Sequence, residues 1–296
     1  MTKILFTGAT GLLGKYFIAK KPPKYRLFGT FYKNSTILKN NFYKLDIADR
    51  NAVLTLFKKI KPDIVVHAAS LGNVDYCESH KNEAHTVNVI GTQNVLYACR
   101  IVGAKIIFTS TNAVYDGKKA PYSEKSPVKP LDEYGKTKAE GEKLVLKGKV
   151  PYIILRLMTM YGWPQKGGRS NPVEWIIEEL KNKRKLNVVS DIYNNYLYAG
   201  QAAEVIWKII QKNKKNEIYN IAGSECINRF ELALKVAKVF NLDPSLVMPV
   251  KSSFFKGLAP RPKNTCFDTK KIERVFKFKL HSVAEGLKKM KDEQEA

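Results

Sequence analysis

Between residues 7 and 14 the chain reads Thr7-Gly8-Ala9-Thr10-Gly11-Leu12-Leu13-Gly14, and this run restricts the fold more than any other. It follows an apolar run of strand length, Lys3 to Thr7, and opens a segment of helical spacing from Gly11 to about Lys20. Glycine at 8 permits a tight turn, glycine at 11 lets a pyrophosphate approach the backbone, and glycine at 14 allows helix and strand to pack closely. The helix start, with Thr10, Leu12 and Leu13, offers unpaired N–H groups and a partial positive charge to phosphate. At the first strand–helix junction this pattern points to a dinucleotide cradle.

Strand-length apolar runs then alternate with helical segments. Strands are expected at Arg26 to Tyr32, Phe42 to Leu45, Asp63 to His67, Lys105 to Ser110 and Tyr152 to Leu157. Helices are expected from Arg50 to Lys59, from about Glu83 to Val102, and from near Glu133. Continuous apolar strands alternating with helices imply a parallel sheet covered on both faces, a doubly wound α/β (Rossmann) fold. After Arg156 the rhythm breaks into a Gly- and Pro-rich loop, a helix from Pro172 to about Lys181, and shorter mixed pieces. The expected division is a dinucleotide-binding domain over residues 1–157, with a segment near 186–221 returning to it. A smaller mixed α/β lobe is expected from 158–185 and 222–296.

The end of the second strand discriminates between nicotinamide cofactors, because NAD binders place an acid there for the ribose 2′-hydroxyl. Here Tyr32-Lys33-Asn34 carries none. Lys33 is placed to meet a 2′-phosphate, which favours NADP(H) over NAD(H), although it is also readable as one more surface lysine. After the third strand Asp46 and Ile47 face the adenine, and after the fourth Ala68, Ala69 and Ser70 let the dinucleotide close to the sheet.

Reduction of a ketone leaves an alkoxide to protonate, and a tyrosine can do this if nearby positive charge lowers its pKa. Tyr-x-x-x-Lys on a helix sets both side chains on one face. The spacing occurs three times, at Tyr16/Lys20, Tyr115/Lys119 and Tyr134/Lys138. Tyr16 lies just past the phosphate turn, and Tyr115 sits in what reads as a polar loop. Tyr134 opens the helix after the fifth strand, whose carboxyl end carries Thr109-Ser110-Thr111-Asn112. Ligands of doubly wound folds bind outside the carboxyl ends of strands, so Tyr134, Lys138 and Thr111 are expected to converge, with Ser110 a rival hydroxyl.

Composition narrows the partners. A net charge of +24 is spread along the chain rather than gathered on one element, which suits a solvated basic surface that steers anionic substrates more than specific nucleic-acid binding. No run approaches the ~18 apolar residues of a membrane span, and the N-terminal apolar run is too short for a signal peptide. Four scattered cysteines without a C-x-x-C pair read as reduced thiols of a cytoplasmic protein. Cys77, Glu78, His80 and His85 cluster in sequence but lack the second paired set a zinc site needs, so no metal is expected. His67, at the end of a buried strand, reads as a packing residue.

The motifs G-A-T-G-L-L-G, H-A-A-S, S-T-N-A-V-Y-D-G, P-L-D-E-Y-G-K-T-K and R-P-K-N-T together resemble the extended short-chain dehydrogenase/reductases. Within them the chain is most similar to the dTDP-4-dehydrorhamnose reductases, from residue 3 to about residue 285. Its N-terminal half also resembles the regulatory beta subunits of methionine adenosyltransferase. The resemblance implies that Tyr134 protonates the sugar O4, Lys138 binds the nicotinamide ribose, and Thr111 hydrogen-bonds the keto oxygen. It places Asn88 beside the central helix near Lys138. It also puts Asn73, Val74, Asn112, Thr159 and Arg261 toward a nucleotide-diphosphate sugar, Arg261 either on the diphosphate or paired with an acid of the sheet domain. Two departures fall on the sugar side: Asn112 stands where the family has an acid, and Thr159 where it tends to have tryptophan. The implied activity is NADPH-dependent reduction of a 4-keto nucleotide sugar, with a homodimer compatible. Alternatives are an epimerase or dehydratase on the same scaffold, or a non-catalytic NADP-binding regulatory subunit.

Overall fold

The computed structural model describes residues 1–33 and 41–295; Asn34 lies outside them. Seven strands form one parallel sheet. They are β1 (Thr2–Thr7), β2 (Tyr25–Phe31), β3 (Phe42–Lys44), β4 (Ile64–His67), β5 (Lys105–Thr111), β6 (Tyr152–Leu157) and β11 (Glu217–Ile221), in the order β11-β6-β5-β4-β1-β2-β3. The order reverses between β1 and β4, so a crevice opens there at the carboxyl rim. Thr7 pairs with Thr30 on one side and His67 on the other, which brings the turns after β1, β2 and β4 to one level.

Helices cover both faces because each crossover returns along the sheet. Helices α2 (Arg50–Ile60), α5 (Gly91–Val102) and α6 (Glu133–Lys147) bury Val53, Phe57, Val95, Cys99 and Val145 against Leu5, Val65, Ile106 and Phe108. On the other face α1 (Leu12–Ala19) and α8 (Ala199–Gln211) pack together, with Trp207 stacked on Phe17 at 4.2 Å and donating Nε1–H to its carbonyl. Between β4 and α5 run α3 (Val74–Ser79), α4 (Lys81–His85) and a π-helical turn, Thr86–Ile90. The one helix expected over 83–102 is thus interrupted. The wider turn leaves Asn88 able to bond groups on both sides, a use common to π-bulges.

The remaining pieces are β7 (Met160–Tyr161), α7 (Pro172–Lys181), β8 (Leu186–Val189), β9 (Tyr193–Asn194), β10 (Leu197–Tyr198), β12 (Ile227–Asn228), α9 (Arg229–Phe240), β13 (Val247–Val250), α10 (Lys270–Phe276) and α11 (Val283–Glu295). β7 pairs with β10, β9 with β12 and β8 with β13, each as a two-stranded ribbon beyond the large sheet. Of the strands in 186–221, only β11 joins the large sheet, on the outer side of β6. The last turns of α11 are latched to the sheet domain. Glu293 accepts from the phenols of Tyr16 (2.8 Å) and Tyr198, Trp163 Nε1 donates to Met290 O at 2.6 Å, and Trp163 N donates to the Tyr16 hydroxyl at 2.9 Å.

The expectation of four reduced cysteines needs correction. Cys226 and Cys266 form a disulfide, with Cα atoms 5.8 Å apart across a sequence separation of 40, while Cys77 and Cys99 are free and buried. Only the folded path of the small lobe brings the pair together, so spacing gave no sign of it. The cysteine argument for a reducing compartment falls with it. Among the described residues, no helix is long and apolar enough to cross a membrane.

Candidate active site

The glycine turn has the geometry its composition predicts. Gly8 has φ +76°, and a Cβ there would lie 2.9 Å from the Ala69 backbone; a Cβ at Gly14 would lie 2.3 Å from Ala9 O. Gly11 is the exposed N-cap of α1 and contributes no side-chain cap, so no capping side chain takes up the first N–H groups of the helix. Thr7 binds the neighbouring turn, its Oγ1 accepting from Ala68 N and Ala69 N at 3.2 Å each. An open helix start, closely approached backbone and small residues at 68 and 69 together fit a dinucleotide pyrophosphate.

His67 packs as expected. Its Nδ1 lies 2.7 Å from Thr7 Oγ1 and its Nε2 3.1 Å from Thr92 Oγ1. Thr92 spends its only hydroxyl proton on Asn88 O at 2.6 Å, so Nε2 must be the donor and Nδ1 the acceptor. Burial, aided by the Lys138 charge, lowers the imidazole pKa to about 3. The ring is neutral and enclosed. It is a strut for the β1–β4 crevice.

Helix α6 is anchored at its start so that Tyr134 and Thr111 meet. Asp132 Oδ1 accepts from Gly135 N at 2.7 Å, and Glu78 Oε2 accepts from Glu133 N at 3.0 Å. Gly135 abuts Ala113 O, where a Cβ would come within 2.3 Å, and Gly141 sits over the Phe108 ring. Larger residues at 135 or 141 would lift the helix off β5. Thr111 ends β5 with its hydroxyl near enough to the Tyr134 phenol to lower its pKa. Ser110, the rival, points to the opposite side of the strand, and its Oγ is sealed in without a partner. The other two Tyr-x-x-x-Lys pairs are engaged elsewhere: Tyr16 on Glu293, Lys20 on Glu204 at 2.8 Å, and Tyr115 fully buried against Arg156. Tyr115 is therefore not in a polar loop; its ring stacks on Tyr122 at 4.3 Å.

Lys138 lies one turn further along α6, 3% exposed, its Nζ 4.3 Å from the Phe108 ring centroid. Burial lowers its pKa to about 8, opposed by the Glu142 carboxylate. Glu142 is itself held by Arg156 through two buried bonds of 2.9 and 2.7 Å. Asn88 ties this helix to the crevice. It accepts from Leu71 N at 2.7 Å, and its Nδ2 donates to Leu71 O and to Thr137 Oγ1, between Tyr134 and Lys138. One expectation about Tyr134 is corrected. Burial outweighs the nearby positive charge, and the phenol pKa is pushed up to about 12; the Thr111 hydroxyl and the Arg169 charge act the other way. The phenol is therefore a proton-bearing group through the physiological range.

Other expected residues divide. Lys33 is exposed at the end of β2, its Nζ 5.6 Å from the Tyr32 ring. Asp46 is exposed and accepts from Ala48 N at 2.9 Å, Ser70 is exposed, and Ile47 packs under Gly91. Asn73 caps α3 by accepting from Tyr76 N at 3.3 Å, with Val74 the first residue of that helix. Thr159 joins the small lobe through its carbonyl, which accepts from Leu197 N. Arg261 pairs with Asp75 at 2.8 Å and donates to Ala259 O, the structural alternative of its two readings. Asn112 bonds Thr265 and Asn194. Cys77, Glu78, His80 and His85 do not converge: Cys77 donates to Leu71 O and His80 stacks on Tyr76.

Arg169 was missed. It stands in the loop before α7, exposed, its Nη1 3.7 Å from where a Gly72 Cβ would lie. Its charge acts on both Tyr134 and Cys77, and among the described residues it makes no hydrogen bond or ion pair. Its only sequence signal was a lone arginine in a Gly-rich loop, and nothing local marks such a residue as facing Tyr134.

Known proteins are similar to this chain in sequence and fold. A dTDP-4-dehydrorhamnose reductase of Aggregatibacter actinomycetemcomitans is 32% identical over 288 residues, covering 93% of this chain and 94% of that protein. The methionine adenosyltransferase 2 subunit beta of Xenopus tropicalis is 30% identical over 279 residues, covering 92% and 82%. The crystal structure of a Bacillus anthracis dTDP-4-dehydrorhamnose reductase in complex with NADP superposes with a TM-score of 0.89 at 27% identity, covering 99% of this chain and 100% of that one. A family model described as RmlD substrate binding domain matches residues 1–296, and the chain belongs to that family.

Proposed function

We propose that the protein is an NADPH-dependent oxidoreductase that reduces the 4-keto group of a nucleotide-activated 6-deoxy sugar, as the dTDP-4-dehydrorhamnose reductases it resembles are named for doing. One observation carries this reading: Thr111 and a protonated Tyr134 meet at the carboxyl rim, with buried Lys138 one helical turn away. When bound, NADPH supplies the hydride to the carbonyl carbon. Thr111 Oγ1 donates to the keto oxygen and draws charge onto it, and Tyr134 Oη delivers its proton as the alkoxide forms. Lys138, cationic below about pH 8, holds the nicotinamide ribose and stabilises the tyrosinate left behind.

The glycine turn 8–14 takes the pyrophosphate, Lys33 the 2′-phosphate, Asp46 and Ile47 the adenine, and 68–70 with Asn88 the nicotinamide half. In this reading residues 1–157 with β11 hold the cofactor, and 158–185 with 222–296 close over the sugar nucleotide. Arg169 meets the diphosphate, the role open to Arg261 before its pairing with Asp75. The overall basic charge steers that anion inward. A cytoplasmic site rests on this substrate alone. The test follows NADPH absorbance with enzymatically generated 4-keto nucleotide sugars, using wild type and Tyr134→Phe. Turnover by wild type and a loss of at least about a thousandfold in the variant, with NADPH affinity kept, is the expected pattern. Full activity of Tyr134→Phe refutes the assignment.

A second reading has its own support in the similarity to methionine adenosyltransferase 2 subunit beta. It predicts tight NADP binding, silence with every keto sugar, and a co-purifying synthetase.

A further inference from the structure

Asn112 stands where the resembled family carries an acid, and its surroundings are built for an amide. Its Nδ2 faces two acceptors, Thr265 Oγ1 at 2.8 Å and Asn194 Oδ1 at 3.3 Å. The Thr265 hydroxyl proton is committed to Asn194 Oδ1 at 2.8 Å, so toward Asn112 it can only accept. With Nδ2 held this way, the amide must turn Oδ1 toward Thr111 Oγ1, 3.3 Å away. Both partners are shielded from water, Thr265 at 1% and Asn194 at 8% exposure.

Thr265 and Asn194 belong to different stretches of the small lobe, and each is fixed in place. Tyr193 N donates to Lys263 O at 2.7 Å and Thr265 N to Tyr193 O at 3.2 Å. Cys266, the next residue, is tied to Cys226 by the disulfide, and its carbonyl accepts from Tyr122 N at 2.8 Å. The small lobe thus reaches the end of β5 with a rigid hydrogen-bonded hand.

We propose that Thr265 and Asn194 are positioning residues for the reduction: by accepting from Nδ2 of Asn112 they set its Oδ1 against Thr111 Oγ1 and aim the hydroxyl that polarises the ketone. This rests on the role given to Thr111 above. In the free protein Asn112 Oδ1 keeps the Thr111 hydroxyl in one of a few orientations. On binding, the proton swings to the keto oxygen from a fixed starting point.

The test compares Thr265→Val, which removes the hydroxyl at nearly constant shape, with Thr265→Ser, which keeps it. Steady-state rates are read with NADPH and enzymatically prepared dTDP-4-dehydrorhamnose. Loss of one such bond is expected to lower kcat about tenfold in Thr265→Val, with KM for NADPH within about twofold, while Thr265→Ser recovers most of the rate. Asn112→Asp, which sets a carboxylate against two acceptors, is expected to lose as much. Unchanged kcat in Thr265→Val, or an equal loss in Thr265→Ser, overturns the positioning role. Should Thr265→Val not fold, unchanged kcat in Asn112→Asp overturns it. Thr111→Val separates the two ideas: if that variant is fully active, the role of Thr111 itself is wrong, and if it is dead while Thr265→Val is normal, only the positioning fails.

Discussion

Lys138→Met is expected to stabilise the free protein while stopping turnover, and the gain should depend on pH in a set direction. Lys138 is nearly inaccessible, and burial lowers its pKa to about 8. The unfolded chain holds the same proton with a pKa of ~10.4. Between these values the unfolded state binds more protons than the folded one, so the contribution of Lys138 to stability rises with pH. Below about pH 8 the folded protein bears the full penalty of a buried ammonium; above ~10.4 it bears none. At ~1.36 kcal/mol per pH unit the penalty is roughly 3 kcal/mol at pH 7 and about 1 kcal/mol at pH 9.5. The contact of Nζ with the Phe108 ring returns roughly 1 kcal/mol while the lysine is charged, and methionine fills nearly the same volume. The variant should therefore gain about 2 kcal/mol at pH 7 and only about 1 kcal/mol at pH 9.5, where the folded lysine is neutral and the ring contact returns nothing. Urea unfolding of both proteins at the two pH values, without nucleotide, measures the difference. A variant less stable than wild type at pH 7, or a difference that does not shrink with pH, would refute the claim that Lys138 is held charged at a cost for the sake of its site.

Gly14→Ala should lower stability by about 2 kcal/mol and weaken NADPH binding at least tenfold, because its Cβ would sit 2.3 Å from Ala9 O and lift α1 off the turn; thermal unfolding and fluorescence titration check both. Arg169→Gln should raise KM for the keto sugar about tenfold, the scale of one charge-assisted hydrogen bond, while leaving the NADPH dissociation constant unchanged. An unaltered KM would remove Arg169 from the diphosphate site.

What could be read before folding was what local pattern dictates. The parallel sheet followed from continuous apolar strands between helical segments, and the cradle from glycines at one strand–helix junction. Tyr134 was separable from Tyr16 and Tyr115 only through its place after the fifth strand, a topological argument and not a matter of spacing. What escaped was long-range. Cys226 and Cys266 meet across a path no spacing encodes, and Arg169 comes beside Gly72 only when the loop before α7 folds back. Arg261 had two readings of equal standing until Asp75 appeared beside it. The raised phenol pKa is hidden for a related reason: charge is visible in a sequence, whereas desolvation belongs to the packed site.

The clasp between α11 and α1 bears on how the protein is handled. Glu293 grips Tyr16, four residues from the start of the helix that faces the pyrophosphate, and Met290 O grips Trp163 at the root of the Arg169 loop. A purification handle fused behind Glu293, or a trim before Met290, would loosen cofactor and substrate elements together and pass for a catalytic defect. The opposite end is safer: Met1 is 82% exposed at the amino edge of the sheet, away from the rim where chemistry is placed.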